Sequence, residues 1–237
     1  MQTLHWGKTK KNQSYIKDRP HKMFGVKSSL LVKSGKQILN FKNPHGFKAG
    51  HGMRVELVGL HEHDPKTKLF KSTIREVWNS EPQSVRENVK KIILSNTNPK
   101  KLASMDTDTK TMEFCLPEGM KINEYGQIVR HELDHVWLDK VKREKPSVFQ
   151  RFAENVKKIP PTTVILESLK MDVDDALKAN QKKKHEILEE EYNHEFFAET
   201  GQYLYQKNHG MEHYNLTNPK AMTEAVKLYH EITKERV

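Results

Sequence analysis

A chain of 237 residues, 35% hydrophobic and 30% charged, can bury one substantial core, or one core plus a small extension. Its apolar runs are as short as Ile92-Ile93-Leu94, far below the roughly 18 to 20 residues of a membrane span, and its single cysteine, Cys115, excludes an internal disulfide or a thiolate metal cluster. The formal net charge of +10 is concentrated at one end: residues 1–50 carry ten lysines and Arg19 against Asp18 alone, the footprint of a site for nucleic acid, an acidic protein or a membrane surface, or else of a solvated arm.

Taken in chain order, Met1 to His21 offers no apolar segment of the signal-peptide kind, so the mature chain is expected to begin near Met1 and, with its lone thiol, to reside in the cytoplasm. The segment to about Lys22 reads as an irregular basic lead-in. Leu30-Leu31-Val32 and Ile38-Leu39-Asn40-Phe41 flank Ser34-Gly35, a short-loop hairpin signal. Two further strands are expected in Met53 to Leu60 and Lys71 to Trp78, separated by the polar turn His63-Asp64-Pro65-Lys66. Ser84 with Glu87 forms a capping-box pattern ahead of Val85, Val89, Ile92 and Ile93, which predicts a helix from about Gln83 to Ser95. Thr111 to Leu116 has strand character and ends at Pro117-Glu118-Gly119. Asn123 can cap a helix through Ile128, Val129, Leu133, Val136 and Trp137. The remainder reads as helices at Ser147 to Lys158, Thr163 to Lys178, His185 to Gln206 and Pro219 to Lys234.

On the first of these helices, His131 and His135 are four residues apart, so both imidazoles project from one face and can share an ion; they can also be two surface histidines paired with acids. Glu132 lies beside them, where a carboxylate can act as general base on a metal-activated water. A third ligand must be acidic or a histidine. In the downstream helix Leu188, Tyr192, Phe196, Glu199 and Tyr203 form a stripe with Glu195 at its edge, while Glu189 and Glu190 point elsewhere. Two carboxylates in an aromatic stripe need a partner, which the histidines supply. Glu195 is assigned as third ligand and Glu199 as the group that orients one imidazole; the reverse assignment stays open, and His194 is a competitor on another face.

His131-Glu132-Leu133-Asp134-His135 followed by Glu195-Phe196-Phe197-Ala198-Glu199 resembles the gluzincin zinc metallopeptidases, and the second element is similar to the anthrax lethal factor catalytic-domain group. The resemblance covers the two motif helices. It implies Zn2+ on His131, His135 and Glu195, Glu132 as base, a polypeptide substrate, and an α+β zincin fold with an edge strand that aligns extended peptide, for which Thr111 to Leu116 is the natural candidate. That group also places a tyrosine about two turns before its glutamate ligand. Leu188 stands there in this chain, and Tyr192 is the nearest substitute as catalytic hydroxyl, with Tyr203, Tyr205, His209 and His213 further off.

The expected fold is thus α+β, with a β-rich, basic region over residues 1–80, either separate or part of the same domain, and a mainly helical zincin-like domain over 81–237. His61, Glu62, His63 and Asp64 read as loop residues rather than ligands, Cys115 as a buried strand residue, and His45 and His51 as part of a glycine-rich basic stretch without a phosphate-loop pattern. The rival to a peptidase is a non-catalytic accessory protein whose basic region grips nucleic acid or an acidic partner and whose metal site is structural or degenerate.

Overall fold

A computed structural model describes residues 46–96, 102–106, 109–115, 122–213 and 215–234. The lead-in, the Ser34-Gly35 hairpin and His45 lie outside them. Strands β1 (Gly46–Gly50), β2 (Met53–Val58), β3 (Lys91–Ser95), β4 (Ala103–Asp106) and β5 (Thr111–Cys115) form one sheet in the order β1-β2-β3-β5-β4, followed by a mainly helical region, which makes the fold α+β. The β2, β3 and β5 strands run parallel; β1 and β4 close the two edges antiparallel to their neighbours.

Two local expectations give way. Lys71 to Trp78 is part of helix α1 (Pro65–Ser80) rather than a strand. Its β-branched and aromatic residues mimic a strand, yet Phe70, Ile74, Val77 and Trp78 recur at helical spacing and are all buried on one face. The supposed turn is the start signal itself: the Asp64 carboxylate accepts from the Lys66 N–H at 2.9 Å, and Pro65 occupies the first helical position, where no N–H is needed. The expected helix over Gln83 to Ser95 breaks after one turn, α2 (Gln83–Arg86), with Pro82 rather than Ser84 at its N-cap. Ile92-Ile93-Leu94 then enters the centre of the sheet as β3, where β-branched residues pack on both neighbouring strands.

The helices beyond residue 121 fall where the sequence places them: α3 (Ile122–Glu144), α4 (Pro146–Val156), α5 (Val164–Lys178), α6 (Lys182–Asn208) and α7 (Pro219–Thr233). Thr163 caps α5 through its hydroxyl to the Leu166 N–H, and Asn218 caps α7 through the Ala221 N–H. A continuous core runs from Phe47 in β1 to Ile232 in α7, and α3 lies within it, packed against α1, α6 and the edge strand β4. From Glu191 to Gly201, α6 is buried on every side. A charged residue in that stretch cannot reach water and must find a partner inside.

Close approach of α3 and α6 is built on glycine. A Cβ on Gly201 would stand 1.7 Å from Asp134 Oδ2, and one on Gly126 would stand 1.9 Å from the Tyr205 hydroxyl. Asp134 cannot retreat, because its carboxylate receives the Arg130 guanidinium through Nε and Nη2 at 3.2 Å each and the Tyr229 hydroxyl at 2.9 and 3.0 Å. The same guanidinium bonds Glu81. Burial alone would pull Arg130 down, but Asp134, Tyr229 and Glu81 hold it firmly protonated.

Candidate metal centre

On either side of Asp134 in the sequence of α3 stand His131 and His135, which α6 meets with Glu195 and Glu199. The two imidazole Nε2 atoms stand 3.1 Å apart. The Glu195 carboxylate bridges them, with Oε2 3.4 Å from His131 Nε2 and Oε1 3.4 Å from His135 Nε2. His131, His135 and Glu195 thereby present ligand atoms within 4.8 Å of one another, a buried group able to hold a metal ion. On the far side of the His131 ring, Nδ1 lies 3.6 Å from Glu199 Oε1, a charge contact slightly longer than a hydrogen bond.

The electrostatics favour a cation at this point. Burial would lower the affinity of His131 for a proton, yet Glu195, Glu199 and Glu132 together raise it to about 9. Burial likewise opposes ionisation of Glu195, but His135 and His131 hold its carboxyl well below the usual range. Carboxylates converging on two imidazoles in a buried site form a donor set that could hold a divalent ion. The side chain of Glu195 is only 8% exposed, so the charge on it must be met from within the protein.

Three further residues complete the surroundings. His194, read from the sequence as lying on another face, is fully buried and stacked on His135 with ring centroids 6.1 Å apart and planes 15° from parallel. Its Nε2 is 3.8 Å from Asp139 Oδ1, and burial pushes the imidazole down to about 3, so it packs there as the neutral ring. Asp139 lies one turn beyond His135 on the same stripe as His131, a spacing that was visible in the sequence; burial raises its carboxyl while His135 opposes that rise. Glu191, one turn before Glu195, is buried, and burial together with Glu195 and Asp172 lifts its carboxyl to about 8.

The candidate hydroxyl is placed elsewhere. Tyr192 packs on Phe196, and burial together with Asp174 of α5 pushes its phenol up to about 12; among the described residues no hydrogen bond or ring contact joins it to His131, His135 or Glu195. Tyr203 lies against His213, with ring centroids 4.4 Å apart, and Tyr205 stacks on His209, which reaches Glu76 at 3.0 Å. His61, Glu62 and His63 are exposed ahead of α1, and Asp64 is its cap. Cys115 is buried near Glu113. Thr111 to Leu116, expected as the outer strand, corresponds to β5, which lies between β3 and β4; β4 is the edge on the side of α3. A strand that short and late in the pattern reads alike at an edge or one place inside it.

No family model, curated protein or solved structure matches the chain.

Proposed function

We propose that the protein is a zinc-dependent endopeptidase centred on His131, His135 and Glu195. The observation that carries this reading is the set of 3.1, 3.4 and 3.4 Å separations among the three ligand groups. A tetrahedral ion with bonds of about 2.0 to 2.1 Å has ligand–ligand edges of about 3.3 Å, so the donors already stand at zinc spacing. Glu199, 3.6 Å from His131 Nδ1, is the carboxylate that would orient that ring by its charge. Zinc held there supplies Lewis acidity toward the scissile carbonyl and toward water. Glu132 takes the proton from the attacking water and delivers it to the leaving amine as the C–N bond breaks, so the glutamate ends as it began.

The sheet offers an edge at which a polypeptide substrate could align. The outer edge of β4 has no neighbouring strand among the described residues, and β4 packs beside α3. An extended polypeptide can add to that edge through main-chain hydrogen bonds, which recognises peptide as a class. Support for hydrolysis rests on Glu132 beside the ligand set; Tyr192 plays no part in this reading.

Metal analysis of chelator-free protein tests the centre, and peptide-library cleavage tests turnover. About one zinc per chain is expected in wild type and in Glu132→Gln, with less than a tenth of that in Glu195→Ala. Cleavage is expected in wild type and reduced at least a hundredfold in Glu132→Gln. Full zinc with no cleavage in wild type would favour the accessory-protein reading, in which the metal ties α3 to α6.

A further inference from the structure

Both ligand imidazoles turn Nε2 toward Glu195 and leave Nδ1 on the outer side. For His131 that outer nitrogen meets Glu199 Oε1 at 3.6 Å. For His135 it is buried and has no hydrogen-bond partner among the described residues. An imidazole that coordinates through Nε2 carries its proton on Nδ1, so a bound metal turns this atom into a buried donor that needs an acceptor.

We propose, on the reading of His131, His135 and Glu195 as a metal centre, that Asp139 is the positioning residue of His135: its carboxylate accepts the Nδ1–H and keeps Nε2 turned toward the ion. Asp139 stands one turn beyond His135 on α3. Side chains on a helix lean toward its N-terminus, so this carboxylate leans back over the turn that carries His135. A contact with α6 marks its place: Asp139 Oδ1 is 3.8 Å from His194 Nε2, and the His194 ring lies against His135 with centroids 6.1 Å apart. Phe149 of α4 also packs on His194, at 5.9 Å between centroids. The neighbouring cations are engaged elsewhere, Lys142 with Glu190 and Arg143 Nη2 with Asn88 Oδ1 at 3.1 Å, which leaves the carboxylate to the imidazoles. His135 and Asp139 already sense each other, since His135 draws the Asp139 carboxyl down against the effect of burial.

The two rings are then held alike, each between the ion at Nε2 and a carboxylate at Nδ1, but by different elements. His131 is oriented from the opposing helix and His135 from its own. Residues 131, 135 and 139 thus place two ligands and one orienting group on a single face of α3. A carboxylate behind a ligand imidazole fixes its tautomer and plane and raises its basicity. The side chain of Asp139 is 24% exposed against 4% for Glu199, so water screens it more and the smaller effect on the metal is expected from it.

The test uses the full chain and zinc. In competition with a chromophoric chelator, affinity is expected to fall about tenfold in Asp139→Ala and by less in Asp139→Asn, whose amide oxygen still accepts the Nδ1–H without the charge. Glu144→Gln removes an exposed carboxylate from the same helix, paired with Lys140, and is expected to keep wild-type affinity. Proton NMR of the zinc-loaded protein is expected to show the His135 Nδ1–H as a slowly exchanging downfield resonance that Asp139→Ala loses. Wild-type affinity and an unchanged resonance in Asp139→Ala would overturn the role of Asp139 and leave the centre standing. An equal loss in Glu144→Gln would overturn it as well, because net charge alone would then account for the effect. A lower metal-free melting temperature in Asp139→Asn with unchanged affinity would make Asp139 a packing residue and overturn the proposal. A wild type that binds no zinc would overturn the centre itself, and the task of Asp139 with it.

Discussion

Glu195 and Glu199 occupy the same helix one turn apart and yet meet the histidines differently. Glu195 bridges both Nε2 atoms, whereas Glu199 meets the outer nitrogen of His131. Removing Glu199 should therefore loosen the metal without abolishing the site: Glu199→Ala is expected to weaken zinc affinity about 10- to 100-fold in competition with a chromophoric chelator. Glu191 offers a test by pH. Its folded carboxyl titrates at about 8, against 4.5 for an ordinary glutamate. The unfolded chain releases that proton first, so the stability that depends on the neutral acid is complete below 4.5 and falls away as pH rises to about 8. Glu191→Gln keeps the neutral shape, and its melting temperature should match wild type near pH 4.5 and exceed it by several degrees at pH 8 to 9.

At the scale of elements, the pairing of α3 with α6 brings ligands from two distant stretches of chain to one point. A neighbouring contact fixes that pairing, where Gly201 of α6 admits the Asp134 carboxylate and Arg130 ties it to Glu81 and Tyr229. Gly201→Ala should cost about 3 kcal/mol, because the new methyl meets a carboxylate locked in a buried network. Asp134→Ala should cost about 3 to 5 kcal/mol by leaving Arg130 short of a buried partner. Urea unfolding measures both. A loss under 1 kcal/mol in both variants would mean that the helices are held by apolar packing alone.

Across the whole molecule, the candidate metal centre lies between two helices of the core that runs from β1 to α7. An ion there binds the folded chain and finds no assembled site in the unfolded one, so it adds stability by mass action. Saturation at a thousand times the dissociation constant contributes about 4 kcal/mol. Chelation with EDTA should lower the melting temperature by about 8 to 16 °C, given about 2 to 4 °C per kcal/mol for a chain of this size. Zinc should restore it, and Glu195→Ala should show no response to either treatment.

Pattern and chemistry in the sequence pointed to the long helices and to the His131, His135 and Glu195 group that the fold brings together, because each depends on spacing within one helix or on a type of side chain that cannot be buried unpaired. His131 with His135 and Glu195 with Glu199 are one-turn pairs, legible without any knowledge of what faces them. The tertiary structure alone decided whether Lys71 to Trp78 and Ile92-Ile93-Leu94 were strand or helix, since short apolar runs satisfy both periodicities until a neighbour is supplied. It also decided that β4 rather than β5 forms the edge, that Tyr192 faces α5, and that His194 lies on His135. The middle of α6 is buried all round, so no polar face remains from which its inward direction could be read. Direction within a fully buried helix is set by the elements that surround it, and those come together only when the chain folds.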